Sequence, residues 1–162
     1  RSVMPPNMYG VGDNFDPETS HVISGLIYKL YNAKIKNHKT VNLWGTGKPV
    51  REFLYAEDAA KICIKIMKIN KTKYTKILKN NSMMNIGTGK GITVRDLSKK
   101  ISKIVNYKGK IKFDTNFPDG HPKKVANIKY QKALKIKSQI SLEDGIKKTY
   151  QYYLRKLKKD IM

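Results

Sequence analysis

The sequence has only one cysteine among its 162 residues, and this scarcity excludes two kinds of structure. A single thiol cannot close a disulfide within the chain, nor can it supply the several sulfur ligands of a cysteine-rich metal site. The three histidines, His21, His38 and His121, are too scattered to form a recognisable metal-binding spacing. We therefore expect no disulfide framework and no bound metal, and a reducing, cytoplasmic location suits the chain.

Long apolar runs are also missing from the sequence. The longest ones fall far short of the roughly 20 residues that a membrane-spanning helix needs. The first residues lack the apolar segment of a secretory signal. The sequence thus predicts a soluble protein without a membrane partner.

Acidic residues are scarce, with 12 Asp and Glu against 34 Lys and Arg, which gives a formal net charge of +22. Such a balance usually indicates binding to nucleic acid or to an acidic surface. However, only four of the basic residues are arginines, and abundant Lys, Asn, Ile and Tyr are typical of AT-rich codons. The lysines are also spread out, without the interleaved aromatics of a strand-binding groove. Nucleic-acid binding is therefore not expected as the main function, and a non-catalytic basic binding module remains an alternative.

The only tryptophan and one of the four arginines lie together in residues 44–54. Trp44 ends an apolar run, Gly45 and Gly47 allow the backbone to turn, and Arg51 begins the next apolar run. An indole ring can stack on a planar or sugar face, and a guanidinium can grip a phosphate through two hydrogen bonds. The segment predicts a small ligand site, and the alternative is a buried tryptophan beside a surface arginine.

Apolar spacing along the chain alternates between the helical and the extended pattern. It predicts helices over residues 21–36, 57–69, 93–105 and 128–134, and a last helix from Ser141, where a capping-box pattern begins. It predicts strands over residues 1–6, 41–44, 51–54, 83–86 and 110–114, a loop over residues 7–20 and a polar surface insertion over residues 68–81. Alternating helices and strands predict an α/β fold.

The segment Gly87-Thr88-Gly89 follows a predicted strand and precedes a helix, as the phosphate-binding glycines of dinucleotide folds do. The third glycine of that fingerprint would fall on Ile92, and no acidic residue ends a second strand about 20 residues later. Lys48 and Lys90 each follow a glycine, but neither precedes the Ser or Thr of a P-loop. We interpret Gly87-Thr88-Gly89 as a structural turn.

His21 is the candidate for acid/base chemistry. It follows Thr19 and Ser20 at the predicted start of the first helix, where the helix dipole favours a neutral imidazole. A histidine at a helix start is otherwise an ordinary surface residue, and that alternative stays open.

Several short segments together carry a resemblance to known enzymes. They are Arg1–Gly10, Asp13–Phe15, Ser20–Ile23, Trp44–Gly47, Arg51–Leu54, Asn85–Gly89, Pro118–Gly120 and Ile140–Glu143. In order and spacing they resemble the GDP-L-fucose synthase family of extended short-chain dehydrogenases/reductases. The Arg-Glu-Phe-Leu segment with the acidic pair Glu57-Asp58 also occurs in other nucleotide-sugar epimerases. Another epimerase or dehydratase of this superfamily is therefore the alternative.

The resemblance implies a reaction and a set of site residues. In the family, GDP-4-keto-6-deoxy-D-mannose is epimerised at C3 and C5 and then reduced at C4 by NADPH to GDP-L-fucose. By this resemblance His21 is the catalytic acid/base. The residues implied to line the NADP site near the nicotinamide are Pro5, Pro6, Asn7, Met8 and His21. Those implied to contact the GDP-sugar are Lys29, Trp44, Arg51 and Asp119.

Two of these positions depart from the usual family residue. Pro6 stands where threonine is common, which removes a hydroxyl and a backbone donor beside the cofactor. Lys29 stands where arginine is usual, so the charge is kept but the bidentate fork is lost.

The resemblance also implies that residues 1–162 form the C-terminal, mainly substrate-binding portion of such an enzyme. This portion would hold the last strands and helices of a Rossmann-type sheet and a small α/β substrate-binding domain. The family's glycine-rich dinucleotide loop, Ser, Tyr-x-x-x-Lys pair and Cys belong to an N-terminal half, and none of them appears here. We expect that half to be this chain's partner, the chain alone to be inactive, and the complete enzyme to be a homodimer.

Overall fold

The computed structural model describes residues 1–79, 81 and 83–161, with side chains described as far as residue 158. In this part of the chain the strands are β1 (Ser2–Met4), β2 (Asn7–Tyr9), β3 (Thr40–Trp44), β4 (Val50–Tyr55), β5 (Met83–Asn85), β6 (Gly91–Thr93), β7 (Lys110–Asp114) and β8 (Lys123–Lys124). The helices are α1 (Val22–Ile35), α2 (Ala56–Met67), α3 (Lys71–Leu78), α4 (Val94–Val105), α5 (Lys129–Ala133) and α6 (Leu142–Ile161). Among the described helices, none has the length and apolar character to cross a membrane.

The strands pair in three groups, which confirms the predicted α/β class. β1 pairs with β5, and β3 pairs with β7, both in parallel. β4 has three partners, because β2 and β8 run parallel to it and β6 runs antiparallel. The residues that flank β4 therefore lie near the segments that flank β2, β6 and β8.

One core cluster lies under α1, α4 and α6. In α1, the helical spacing places Ile23, Ile27 and Leu30 on the buried face, and Leu97 and Ile101 of α4 do the same. Full burial of each such side chain stabilises the fold by about 1.5–3 kcal/mol. This packing fixes the orientation of α1, which carries Lys29 and directly follows His21.

Side-chain caps begin two of the predicted helices. The Asp96 amide donates to the Thr93 hydroxyl oxygen over 3.0 Å, at the start of α4. The Asp144 amide donates to the Ser141 hydroxyl oxygen over 3.1 Å, in the first turn of α6. Both helix starts are thus confirmed, because each cap satisfies an amide that the helix itself leaves free.

The predicted surface insertion over residues 68–81 is wrong for the part that forms α3. Asn70 begins this helix, and its side-chain oxygen accepts from the Thr72 amide over 2.9 Å. Tyr74 and Leu78, four residues apart, are buried in a second core cluster with α2 and β5. Few apolar residues of α3 face inward, and the lysine-rich sequence around them concealed the helix.

The three-residue strand β2 falls where a loop was predicted, and β6, also three residues long, follows the predicted turn and overlaps the predicted start of the next helix. Their length is too short to show an alternating pattern in sequence. Both exist because β4 offers hydrogen-bonding edges, so their structure comes from pairing and not from local preference.

Candidate functional site

The predicted site residues lie in or beside β3, β4 and α1. Trp44 closes β3, and Arg51 lies near the start of β4. His21 is the residue just before α1, and Lys29 lies two turns further along that helix. The 115–122 segment connects β7, the partner of β3, to β8, the partner of β4. It therefore bridges the two strands that carry Trp44 and Arg51.

Three of the predicted residues line one open cleft, the His21 cleft, with a volume of about 580 Å³. Lys29 comes from α1, His21 from the residue just before this helix, and Trp44 from the end of β3. The wall between them contains apolar groups such as Leu26 and Leu43. An apolar cleft with a few convergent polar groups is typical of a small-molecule site.

His21 is held by its backbone while its side chain stays in the cleft. The His21 carbonyl accepts from the Gly25 amide over 2.8 Å and from the Ser24 hydroxyl over 3.1 Å. Its imidazole makes no cap hydrogen bond and is exposed. The ring is thus available for proton transfer to a bound ligand. His21 does not line the cleft that contains the prolines predicted for the cofactor site.

The Trp44 side chain is 67% exposed, so the alternative of a buried tryptophan is wrong. Phe117 stacks on the indole with ring centroids 4.7 Å apart and planes inclined by 15°. The Lys29 ammonium lies 5.2 Å from the centroid of the same ring. An exposed indole flanked by a cation is suited to stacking against a ligand that carries negative charge.

Asp119 holds the turn that follows Trp44. Its carboxylate accepts from the Thr46 amide over 2.9 Å and from the Thr46 hydroxyl over 2.5 Å. These bonds, chiefly the one from the hydroxyl, together with the nearby charges of Lys48 and Arg51, lower the pKa of Asp119. Gly45 has a φ of +78°, and a Cβ there would overlap the carboxylate, which explains the glycine. In this structure Asp119 therefore shapes the loop around the indole.

Arg51 lies on the opposite side of β4 from its neighbour Glu52, as strand alternation requires. The Arg51 Nη1 donates to the Val50 carbonyl over 2.9 Å. Its Nη2 faces Gly120, where an added Cβ would lie 3.3 Å away. The ion pairs between described side chains involve other residues, so the remaining N–H groups of Arg51 can serve an anion.

A second cleft of about 430 Å³, the Pro5 cleft, brings together three of the residues predicted for the cofactor site. Pro5, Pro6 and Asn7 line it, facing the segment around Lys124. Met8 does not line it, because successive side chains of β2 point to opposite faces. The contact predicted for Met8 stays a prediction.

Sequence reasoning missed the role of Glu52. This carboxylate is 0% exposed, and its Oε1 accepts from the Thr88 and Gly89 amides over 2.6 and 2.7 Å. Its Oε2 accepts from the Ala126 amide over 2.6 Å, and its carbonyl accepts from the Asn7 side chain over 3.0 Å. The signal in the sequence was a charge inside an apolar strand, which needs partners once it is buried.

The Glu52 bonds confirm that Gly87-Thr88-Gly89 is a structural turn. In this turn the Thr88 and Gly89 amides donate to the Glu52 carboxylate. The Gly87 amide donates to the Gln131 side chain over 2.7 Å. No amide of this turn is left for a phosphate. Within the described residues there is also no group of three or more His, Cys, Asp or Glu side chains placed to hold a metal ion.

An α/β fold with an apolar cleft that carries a few convergent polar groups fits the class of proteins that bind small molecules. The chain matches the NAD dependent epimerase/dehydratase family over residues 1–87, which is more than half of its length. It belongs to this family, as the resemblance predicted.

The chain is similar to named relatives over nearly its whole length. It is 41% identical to the GDP-L-fucose synthase of Escherichia coli (strain K12), covering 95% of this chain and 48% of the relative. It is 38% identical to the putative GDP-L-fucose synthase 2 of Arabidopsis thaliana, covering 94% and 44%. The crystal structure of a GDP-L-fucose synthetase from Naegleria fowleri bound to NADP superposes with a TM-score of 0.82 at 29% identity, covering 97% and 47%. The chain thus spans about half the length of the relatives it matches.

Proposed function

We propose that this chain provides the GDP-sugar site and part of the nicotinamide site of a GDP-L-fucose synthase. That enzyme would epimerise GDP-4-keto-6-deoxy-D-mannose at C3 and C5 and reduce it at C4 with NADPH. The remaining half of the enzyme would bind the dinucleotide and supply the Ser, Tyr and Lys of the reduction. The complete enzyme would act as a homodimer.

The observation that supports this proposal most strongly is the His21 cleft itself. It joins an acid/base group, His21, to an exposed stacking ring, Trp44, and to a cation, Lys29. These three groups match the three parts of a nucleotide-sugar: the reacting hexose, the base and the diphosphate. The Asp119 loop is bound to Thr46, two residues beyond Trp44, and Arg51 faces Gly120 of the same loop.

His21 would move protons at the carbons next to the ketone. Epimerisation removes a proton from one face of such a carbon and delivers a proton to the opposite face. One imidazole reaches only one face of the carbon, so His21 would either remove the proton on that face or deliver a proton there. We propose that the group for the other face comes from the remainder of the enzyme.

The Pro5 cleft has features that fit a nicotinamide. Pro5 and Pro6 present flat apolar surface, and proline has no N–H that would be left without a partner there. The side-chain nitrogen of Asn7 donates to the Glu52 backbone carbonyl. The side-chain oxygen of Asn7 thus remains as an acceptor beside the cleft that this residue lines. NADPH bound here would supply the hydride that reduces the C4 ketone, and these residues would orient its ring.

Arg51 offers a direct test by calorimetric titration of GDP into the full chain. Arg51→Ala removes a charged donor at the diphosphate, so we expect GDP affinity to fall about 10-fold. Arg155→Ala removes an exposed arginine on α6 and is the matched control, with unchanged affinity expected. Equal affinities of both variants and the wild type would contradict the assignment of Arg51.

Two further titrations separate the alternatives. A UDP ligand that binds more tightly than GDP would indicate another nucleotide-sugar epimerase of the superfamily. Oligonucleotide binding that falls steeply with salt, in the absence of GDP binding, would indicate a basic binding module. The proposal expects GDP to bind best.

A further inference from the structure

Trp44 and Phe117 form an exposed aromatic pair that the fold does not need for its core. Phe117 is 41% exposed, and it belongs to neither of the two core clusters. Its aromatic contact is the stack on Trp44, at 4.7 Å between centroids. Two aromatic side chains that meet at the surface, outside the core, indicate a role for the surface they create.

The two faces of the Trp44 ring have different neighbours. Lys29 lines the His21 cleft and lies over the indole at 5.2 Å from its centroid. Phe117 stacks on the indole but is not part of the cleft wall. Since Phe117 stacks on one face of the indole from outside the cleft wall, the opposite face is the one toward the cleft, and the Lys29 ammonium that lies over it would move aside for a ligand.

The segment that carries Phe117 is fixed to the strand end that carries Trp44. Asp114 of β7 is paired in register with Trp44 and accepts the Gly45 amide over 2.9 Å. Its side chain accepts the Asn116 amide over 3.1 Å, which starts the turn toward Phe117. Two residues beyond Phe117, Asp119 is bound to Thr46. The phenyl ring is thus held on the indole from both sides of the turn.

We propose that Phe117 is a positioning residue for ligand binding: it holds the Trp44 indole against the His21 cleft so that a purine base stacks on the face opposite Phe117. This inference rests on the proposed GDP-sugar site and deepens it. Without the phenyl ring, the indole of an exposed tryptophan can rotate away from the cleft, and ordering it again would reduce the net gain from stacking.

The test compares two ligands that differ in the base. Trp44 is the only tryptophan of the full chain, so its emission reports on this ring directly. GDP and inorganic pyrophosphate are titrated against the wild type, Phe117→Ala and Phe117→Tyr. Phe117→Ala should weaken GDP binding about 3- to 10-fold, the range that an aromatic pair contributes, and leave pyrophosphate binding unchanged. Phe117→Tyr keeps the ring and should restore the wild-type GDP affinity.

Each other outcome has a separate meaning. Equal GDP affinity in the wild type and Phe117→Ala, or equal weakening of GDP and pyrophosphate, overturns the positioning role and leaves the GDP-sugar site in place. Tighter GDP binding by Phe117→Ala also overturns it, because the phenyl ring would then compete with the base. Failure of the wild type to bind GDP contradicts the proposed function itself.

Discussion

Two turns of identical sequence, Gly45-Thr46-Gly47 and Gly87-Thr88-Gly89, are held in the same way but in different surroundings. In each, the threonine amide and hydroxyl donate to one carboxylate, Asp119 in the first turn and Glu52 in the second. Asp119 is exposed, whereas Glu52 is fully buried. The same local motif therefore supports a ligand surface in one place and a structural junction in the other.

The difference in burial decides what each carboxylate can do. Water solvates Asp119, so its bonds to Thr46 set the shape of a loop without being essential to the fold. Glu52 has lost its water, so every protein donor around it matters. Glu52 also connects Asn7 of the Pro5 cleft to Ala126, which makes it a support for that cleft.

The largest expected effect comes from neutralising the buried carboxylate. In Glu52→Gln one of the two acceptor oxygens becomes an NH2 group, which faces a backbone N–H that has lost its acceptor. We expect the free energy of unfolding to fall by about 2–4 kcal/mol, measured by urea denaturation. Asp119→Asn is the matched control at the exposed turn and should unfold close to the wild type. Similar losses in both variants would show that burial does not distinguish the two turns.

Adding a methyl group to each turn tests the difference between the buried and the exposed carboxylate a second time. A Cβ at Gly87 would overlap the Glu52 carboxylate, which is enclosed and cannot move aside. A Cβ at Gly45 would overlap the Asp119 carboxylate, which can move into solvent, although the φ of +78° still strains an alanine. We expect Gly87→Ala to lower the thermal midpoint more than Gly45→Ala does, and scanning calorimetry measures both. The reverse order would contradict the account of the two carboxylates.

The smallest expected effect is a dependence on pH at the exposed turn. The Thr46 bonds lower the pKa of Asp119 from its ordinary value of 3.8, so these bonds stabilise the loop above that pH. The stabilisation is lost as the pH falls through the lowered pKa. The Trp44 emission should therefore change in this acidic range in the wild type, but not in Asp119→Asn. An equal change in both would assign the transition to another group.

The sequence was informative wherever a local pattern was long enough. The apolar spacing of α1 and α4 and the caps Thr93 and Ser141 predicted these helices close to their observed bounds. The exposure of Trp44 fits the ligand site predicted from the residue types of the 44–54 segment, although the site itself stays a prediction. These features depend on interactions between near neighbours, which is why sequence could predict them.

The missed features depend on contacts between distant residues. β2 and β6 are strands because of β4, and Glu52 meets amides 36 to 74 positions away. Phe117 reaches Trp44 only because β7 pairs with β3. Three residues give no periodic pattern, and a single charge or phenyl ring does not reveal its distant partner. Tertiary structure was needed to find them.

We propose that Trp44, Lys29 and Arg51 bind a guanine nucleotide beside His21, and a crystal structure of the full chain with GDP is the decisive test. We expect the guanine on the Trp44 face opposite Phe117, with the diphosphate on Lys29 and Arg51. GDP bound in the Pro5 cleft or elsewhere, with the Trp44 face empty, would contradict this assignment.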